Sequence, residues 1–242
     1  MEKLLDSKLL DTLEMGEITL EGEFIWGSNY TFLVEITYGE VKLKGVYKPT
    51  RGERPLWDFP RASLAHREVA AYQVSEALGW QFVPSTVYRG LAPLGPGSLQ
   101  LFVQHNTEYH YFNFSEKDRQ RLRPVVLFDL LINNADRKGS HLLIDPADHL
   151  WLIDHGVCFH NEDKLRTVIW DFAGEAIPEA YLQDLIRFRD QLVYGTQLYL
   201  ALKENLKKIE INALKERANR LLESGRFPDP DIDRRPYPWP AI

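Results

Sequence analysis

The sequence predicts an α+β fold in two lobes, an antiparallel β-rich lobe followed by a mainly helical one. Three observations carry this. Apolar residues alternate with period two across residues 17–49. After Asn106 they recur at helical spacing instead. Within that second part, two short apolar runs, 142–144 and 150–153, flank the polar turn 145–149, and each adjoins an acidic loop-like cluster.

Taken in order, Ile18 and Leu20, then Phe24 and Trp26, then Phe32, Val34 and Ile36, then Val41 and Leu43 point to one face of successive strands. Gly27-Ser28-Asn29 and Tyr38-Gly39-Glu40 read as the turns between them, giving three antiparallel strands. Residues 63–78 read as a helix ended by Gly79. Residues 86–88 and 98–103 read as two further strands around the turn-rich stretch 92–97. The segment 115–133 opens with Ser115-Glu116-Lys117-Asp118, a capping-box pattern, and Pro124 kinks or divides that helix. Residues 178–193 and 210–224 show i, i+3, i+4 apolar spacing. The expected organisation is a β-rich lobe over 1–104, a helical lobe over 105–226, and a proline-rich extended tail over 227–242.

Composition bounds the function. A chain of 242 residues with 44% hydrophobic content can bury a full core. A net charge of −6 argues against a dedicated nucleic-acid binder, which usually carries a basic face. The single cysteine, Cys158, excludes an internal disulfide framework and fits a reducing compartment. The start has no apolar core of signal-peptide length, and the longest apolar run, 125–132, is broken by Asp129. The expectation is a cytoplasmic protein without integral membrane association.

The chemistry concentrates in two places. Lys48, in Val46-Tyr47-Lys48-Pro49, ends the third strand as a fixed cation beneath the sheet. In phosphoryl transfer such a lysine neutralises nucleotide phosphates and needs a supporting carboxylate, for which Glu68 on the next helix is the candidate. One hairpin earlier, Trp26-Gly27-Ser28-Asn29 offers backbone N–H groups with the side chains of Ser28 and Asn29 to phosphates. It is not a Walker A loop, because no Gly-Lys-Ser/Thr follows. Gln104, at the junction of the lobes, joins these nucleotide-binding candidates.

The second place is the hairpin of 142–144 and 150–153, which brings Asp136, His141 and Asp154 to one mouth. Asp136 is the candidate catalytic carboxylate, and Lys138 is placed to reach the transferred phosphate. His141 and Asp154 are the candidate metal ligands, and Gly156 lets the chain turn after Asp154. A transition-metal hydrolase site from His141, His155 and His160 with the two aspartates is the rival reading. It lacks a His-Glu-x-x-His pattern or i, i+4 histidines. Cys158 reads as a buried, inert thiol.

These residues resemble a known family. Asp136-Arg137 through His141-Leu142-Leu143-Ile144, followed by Leu150-Trp151-Leu152-Ile153-Asp154-His155-Gly156, is similar to the catalytic and metal-binding loops of phosphatidylinositol 3-/4-kinase-like proteins. The type II phosphatidylinositol 4-kinase branch and its bacterial relatives are the part of the family it resembles. Val46-Tyr47-Lys48-Pro49, and Glu68-Val69-Ala70-Ala71-Tyr72 with Val83-Pro84-Ser85-Thr86, follow in the family's order, and the resemblance runs over about 27–159. Arg166-Thr167-Val168-Ile169-Trp170-Asp171-Phe172 is similar to uncharacterised actinobacterial-type proteins with the same core.

The resemblance implies a two-lobed protein-kinase-like fold with ATP between the lobes. Lys48 would meet the α- and β-phosphates, Glu68 would hold it, Asp136 would orient or deprotonate the acceptor, and Asp154 would bind Mg²⁺ or Mn²⁺. His141 stands where these kinases place asparagine, and imidazole favours zinc or manganese over Mg²⁺. The implied activity is transfer of the γ-phosphoryl group to a protein, small-molecule or lipid acceptor. A catalytically silent nucleotide-binding regulator and AMP transfer are the alternatives. The segment 157–178, with Lys164 and Arg166 beside Trp170 and Phe172, would shape acceptor choice. No polybasic cluster accompanies it, so a lipid is the weaker acceptor reading. A protein partner would dock through the proline-rich tail.

Overall fold

The computed structural model describes residues 2–23, 30–231 and 233–242. The expected turn at 26–29, with Ser28 and Asn29, lies outside the described residues.

Helix α1 (Glu2–Met15) leads into β1 (Glu17–Glu23), β2 (Phe32–Tyr38) and β3 (Val41–Pro49). Then come α2 (Leu64–Leu78), β4 (Thr86–Arg89) and β5 (Gly97–Leu101), and the five strands form one antiparallel sheet in the order β1-β2-β3-β5-β4. The β2–β3 hairpin closes on the pair Tyr38↔Val41, with Gly39 at φ +60, where the left-handed backbone favours glycine. Successive strand residues face opposite sides. Tyr47 therefore enters a core with Leu13, Ile18, Val34, Ile36, Val87 and Leu99, and Lys48 points the other way. Helix α1, which supplies Leu13, is absent from the sequence-based expectation.

The helical part holds α3 (Glu116–Gln120), α4 (Arg123–Ile132), α5 (Glu179–Asp190), α6 (Gln197–Asn205) and α7 (Lys208–Ser224). Between α4 and α5 lies the two-stranded hairpin β6 (Leu142–Ile144) and β7 (Leu150–Leu152). Ser115 caps α3 by accepting from the Asp118 N–H (3.2 Å), and Pro124 divides the segment by occupying the first turn of α4. Helix α6, capped by Thr196, was not expected from the sequence.

Leu127, Phe128 and Leu131 of α4 are wholly buried. Each such side chain contributes about 1.5–3 kcal/mol relative to exposure. Ala70, Val74 and Leu78 of α2 pack into this same core rather than the sheet's, so α2 bridges the two parts. A buried ion pair between Arg67 of α2 and Glu210 of α7, with Arg67 also donating to the Cys158 carbonyl, fixes that bridge. Cys158 is buried and free.

Beyond α7 the described residues form no helix or strand but stay docked. Phe227 is buried and exchanges backbone bonds with Gly174 and Glu175, the Thr167 N–H donates to the Pro236 carbonyl (3.0 Å), and the Gly139 N–H to the Ala241 carbonyl (2.8 Å). Tyr237 and Trp239 remain exposed. No helix among the described residues is long and apolar enough to cross a membrane.

Candidate active site

The end of α4 starts the site. Asn133 adopts a left-handed conformation (φ +54) and stops the helix. Its amide donates to the carbonyls of His160 (2.9 Å) and Glu162 (2.6 Å), and its oxygen accepts from the Lys164 N–H (2.8 Å). Asn134 donates to Asp129 (3.0 Å) and accepts from the Asp136 N–H (2.9 Å), which turns the Asp136 loop outward.

Beneath that loop lies a pair that the sequence reading did not assign. Arg137 is wholly buried, with Asp129 1% exposed. Nε and Nη2 of Arg137 donate to Asp129 at 2.9 Å, Nη1 donates to the Ile153 carbonyl at 3.0 Å, and Nη2 lies 2.9 Å from His155 Nε2. One guanidinium thus ties α4, the Asp136 loop and the end of the hairpin together. The only sequence signal was an aspartate interrupting an apolar run.

The charges that face the cleft are brought together from four elements. Lys48 Nζ lies 2.5 Å from Glu68 Oε1 and 3.0 Å from Asp154 Oδ1. Glu68 Oε2 accepts from the His155 N–H at 2.9 Å, so α2 grips the lysine and the chain after β7 at once. Asp154 Oδ2 lies 3.3 Å from His141 Nε2, and Lys138 Nζ lies 3.5 Å from Asp136 Oδ2. The chain turns at Gly156-Val157, as the sequence suggested, and Asp154 two residues earlier takes a left-handed backbone, φ +62. Gly156 also permits close approach to α2, since a Cβ there would meet Leu64 Cβ at 3.3 Å. Strained backbone of this kind clusters at functional sites.

Electrostatics set distinct protonation states. Lys48 holds Asp154 ionised against the cost of its surroundings, well below the usual carboxylate range. Burial opposes the charge of Lys48, but Asp154 and Glu68 outweigh it and keep the ammonium protonated. Burial pushes His141 down to about 4 although Asp154 opposes this, so its imidazole is neutral at physiological pH. Burial raises Asp136 to about 6, with Lys138 opposing and Asp154 adding to the rise. Burial and Arg137 hold His155 neutral as well.

The donor chemistry can be tested against a divalent cation. No group of three or more His, Cys, Asp or Glu among the described residues is arranged to hold one. A neutral imidazole and an ionised carboxylate do converge, however. Two protein donors suffice for a cation that takes its remaining ligands from nucleotide phosphates and water. The rival hydrolase cluster does not assemble: His155 is against Arg137, and His160 Nε2 is 3.1 Å from the Asp58 carbonyl. Gln104 is exposed in the segment after β5, and no hydrogen bond or ion pair among the described residues joins it to the Lys48 cluster. Burial drives the Cys158 thiol well above its ordinary pKa, which leaves it unreactive.

Comparison with known proteins agrees with this geometry at the level of fold. No protein-family profile matches the chain. It is 41% identical over 262 aligned positions to Protein Rv2133c of Mycobacterium tuberculosis, covering 94% of this chain and 93% of that one. It is 31% identical over 130 residues to phosphatidylinositol 4-kinase gamma 4 of Oryza sativa subsp. japonica, covering 46% of this chain and 23% of that one. Among solved structures, the Helicobacter pylori proinflammatory kinase CtkA superposes with a TM-score of 0.53 at 12% identity, covering 88% of this chain and 94% of that one. Hydra Fam20, solved with sugar, gives 0.56 at 15% identity, covering 90% and 88%. The two-lobed, kinase-like α+β fold is therefore the fold of this chain.

Proposed function

The chain belongs to the family of Protein Rv2133c, and we propose that it is an ATP-dependent phosphotransferase working between a nucleotide-holding lobe, 1–104, and a catalytic lobe, 105–226. The observation that carries this is the three-way contact of Lys48 with Glu68 and Asp154 inside a kinase-like fold. The neutral His141 and the loop bearing Asp136 stand at the same mouth.

In this reading Lys48 neutralises the α- and β-phosphates, and Glu68 keeps it aimed into the cleft. Asp154 and His141 would hold a divalent cation, Mg²⁺ or Mn²⁺, which when bound supplies neutralisation of phosphate oxygens. The mixed nitrogen and oxygen donors suit Mn²⁺ better than Mg²⁺. Asp136 accepts the proton of the acceptor hydroxyl as its oxygen bonds to the γ-phosphorus and the bond to the β-phosphate oxygen breaks, releasing ADP. A carboxylate raised to about 6 is mostly ionised at pH 7 yet more basic than an ordinary aspartate. Lys138 lies beside the transferred group. Ser28, Asn29 and Gln104 complete the nucleotide contacts. The acceptor is a hydroxyl on a protein, small molecule or lipid, and the compartment is the cytoplasm.

A silent nucleotide-binding regulator is the second reading, favoured by His141 in place of asparagine. Incubation with γ-labelled and α-labelled ATP plus Mg²⁺ or Mn²⁺ separates the cases. Label transferred from the γ position and lost in Asp136→Ala is the expected result. Label from the α position alone would instead establish AMP transfer. Thermal stabilisation by ATP without transfer would establish the regulator.

A further inference from the structure

The whole chain carries a net charge of −6, yet one cavity among its described residues is basic. This cavity, about 780 Å³, lies between the end of α4, residues 163–170, α7 and the docked tail. Seven lysine and arginine side chains line it against three aspartates. None of Lys48, Glu68, Asp136, His141 and Asp154 does, so it is separate from the cleft.

Several of its donors are uncommitted. Arg217 is 5% exposed, and its Nη2 has no hydrogen-bond partner among the described residues. The guanidinium is otherwise anchored by Nε donating to the Leu131 carbonyl at 2.7 Å and Nη1 to the His160 carbonyl at 3.3 Å. Trp170 Nε1, also on the lining, is buried and unpartnered. Arg166 and Arg235 make no ion pair within 4.0 Å among the described residues, although the charge of Arg166 also acts on Asp136. The aspartates offset them only in part: Asp163 pairs with Arg220 at 2.9 Å while its charge also favours that of Arg217, Asp231 pairs with Arg234 at 3.4 Å, and Asp229 remains. Leaving a buried donor unmade is costly, more so when it is charged. Concentrating unpaired guanidinium groups on an acidic protein adds repulsion that an anion would relieve. Leu130, Leu221 and Phe227 supply an apolar wall.

We propose that this cavity is a binding site for a small polyanion bearing two or more phosphate or carboxylate groups, held by Arg166, Arg217 and Arg235 with Trp170 donating. Planar guanidinium forks match both oxyanions in bidentate fashion. The site adjoins the catalytic loop. Arg166 takes part in a backbone ladder in which its N–H donates to the Asn134 carbonyl and its carbonyl accepts from the Arg137 N–H, both at 2.9 Å. The occupant therefore bears on the position of Asp136.

Pyrophosphate and citrate are the probes, titrated calorimetrically against the full chain carrying Lys48→Met, which weakens anion binding in the cleft. Saturable binding is expected in this background. It should weaken about ten-fold to a hundred-fold when Arg166→Gln and Arg235→Gln are added, as for charge-assisted hydrogen bonds. Both substitutions preserve the backbone bonds of the ladder, and an unchanged melting temperature without ligand confirms the fold. Sedimentation with phosphatidylcholine vesicles containing cardiolipin, a lipid with two phosphates, identifies the source. Co-sedimentation lost in the double variant assigns the anion to a lipid, and soluble binding alone assigns it to a free molecule. No binding at millimolar probe, or binding indifferent to both arginines, overturns the proposal.

Discussion

Two ion pairs meet the chain on either side of the Asp136 loop, and they are built in opposite ways. Arg137–Asp129 is sealed, with side chains 0% and 1% exposed, and nearly every donor of the guanidinium is spoken for by α4, His155 or a backbone carbonyl. Lys48–Asp154 opens to the cleft, with side chains 23% and 48% exposed. A sealed pair cannot exchange partners without unfolding its surroundings. An open pair can yield its charges to phosphates and a cation. The first holds the loop; the second is available for chemistry.

Breaking the sealed pair should have the largest effect. Arg137→Ala leaves Asp129 buried and uncompensated, and is expected to cost about 3–5 kcal/mol in urea unfolding. Replacing both partners by apolar residues of similar volume should recover much of that loss. Recovery failing entirely would mean that the guanidinium's bonds to the Ile153 carbonyl and His155 matter more than the ion pair.

The open pair should behave the other way. Lys48→Met is expected to lower the transfer rate about 10²–10³-fold, as loss of a preorganised transition-state contact does. Its melting temperature should move far less than that of Arg137→Ala. A large stability loss here would erase the distinction between the two pairs.

Acidity sharpens the contrast at the loop between them. Because burial raises Asp136 to about 6, the transfer rate should fall as pH drops through about 6, and Asp136→Asn should lack that limb. The sign for stability is the reverse of a salt-bridged aspartate. Below the unfolded value of about 3.9 both states are protonated and no penalty exists. The penalty grows as pH rises towards about 6 and is full above it. Asp136→Asn should therefore match the wild type at low pH and melt higher at neutral pH. His141, lowered to about 4, adds no titration between pH 6 and 8.

The smallest expected change is at His141. His141→Asn exchanges imidazole for an oxygen donor, and the ratio of Mg²⁺-supported to Mn²⁺-supported activity should rise. An unchanged ratio would show that His141 does not touch the cation.

Much of this was legible in the chain. Period-two alternation around Val34 and Ile36 and the Tyr38-Gly39-Glu40 turn are local signals, and they set the sheet. The apolar runs flanking Asp145–His149 likewise gave the hairpin that brings His141 to Asp154. What stayed hidden depends on distance in space. Asp129 is visible as an interruption of an apolar run, but its partner Arg137 reads as a surface charge until the loop folds over it. Gly156 marked the turn, but the left-handed backbone of Asp154 and the contacts of its carboxylate with Lys48 and His141 have no local signal. Helix α6 was missed because Leu198, Tyr199 and Leu202 make only a short apolar face. The basic cavity is the extreme case, since it exists only once the tail docks on residues 163–176.

The most direct test of the central claim is a crystal of the protein with a non-hydrolysable ATP analogue and Mn²⁺, read by anomalous scattering. The account predicts a manganese peak between His141 Nε2 and the Asp154 carboxylate, with Lys48 turned from Asp154 towards the phosphates. A nucleotide bound elsewhere, or Lys48 still clasped to Asp154 with no peak at His141, would contradict it.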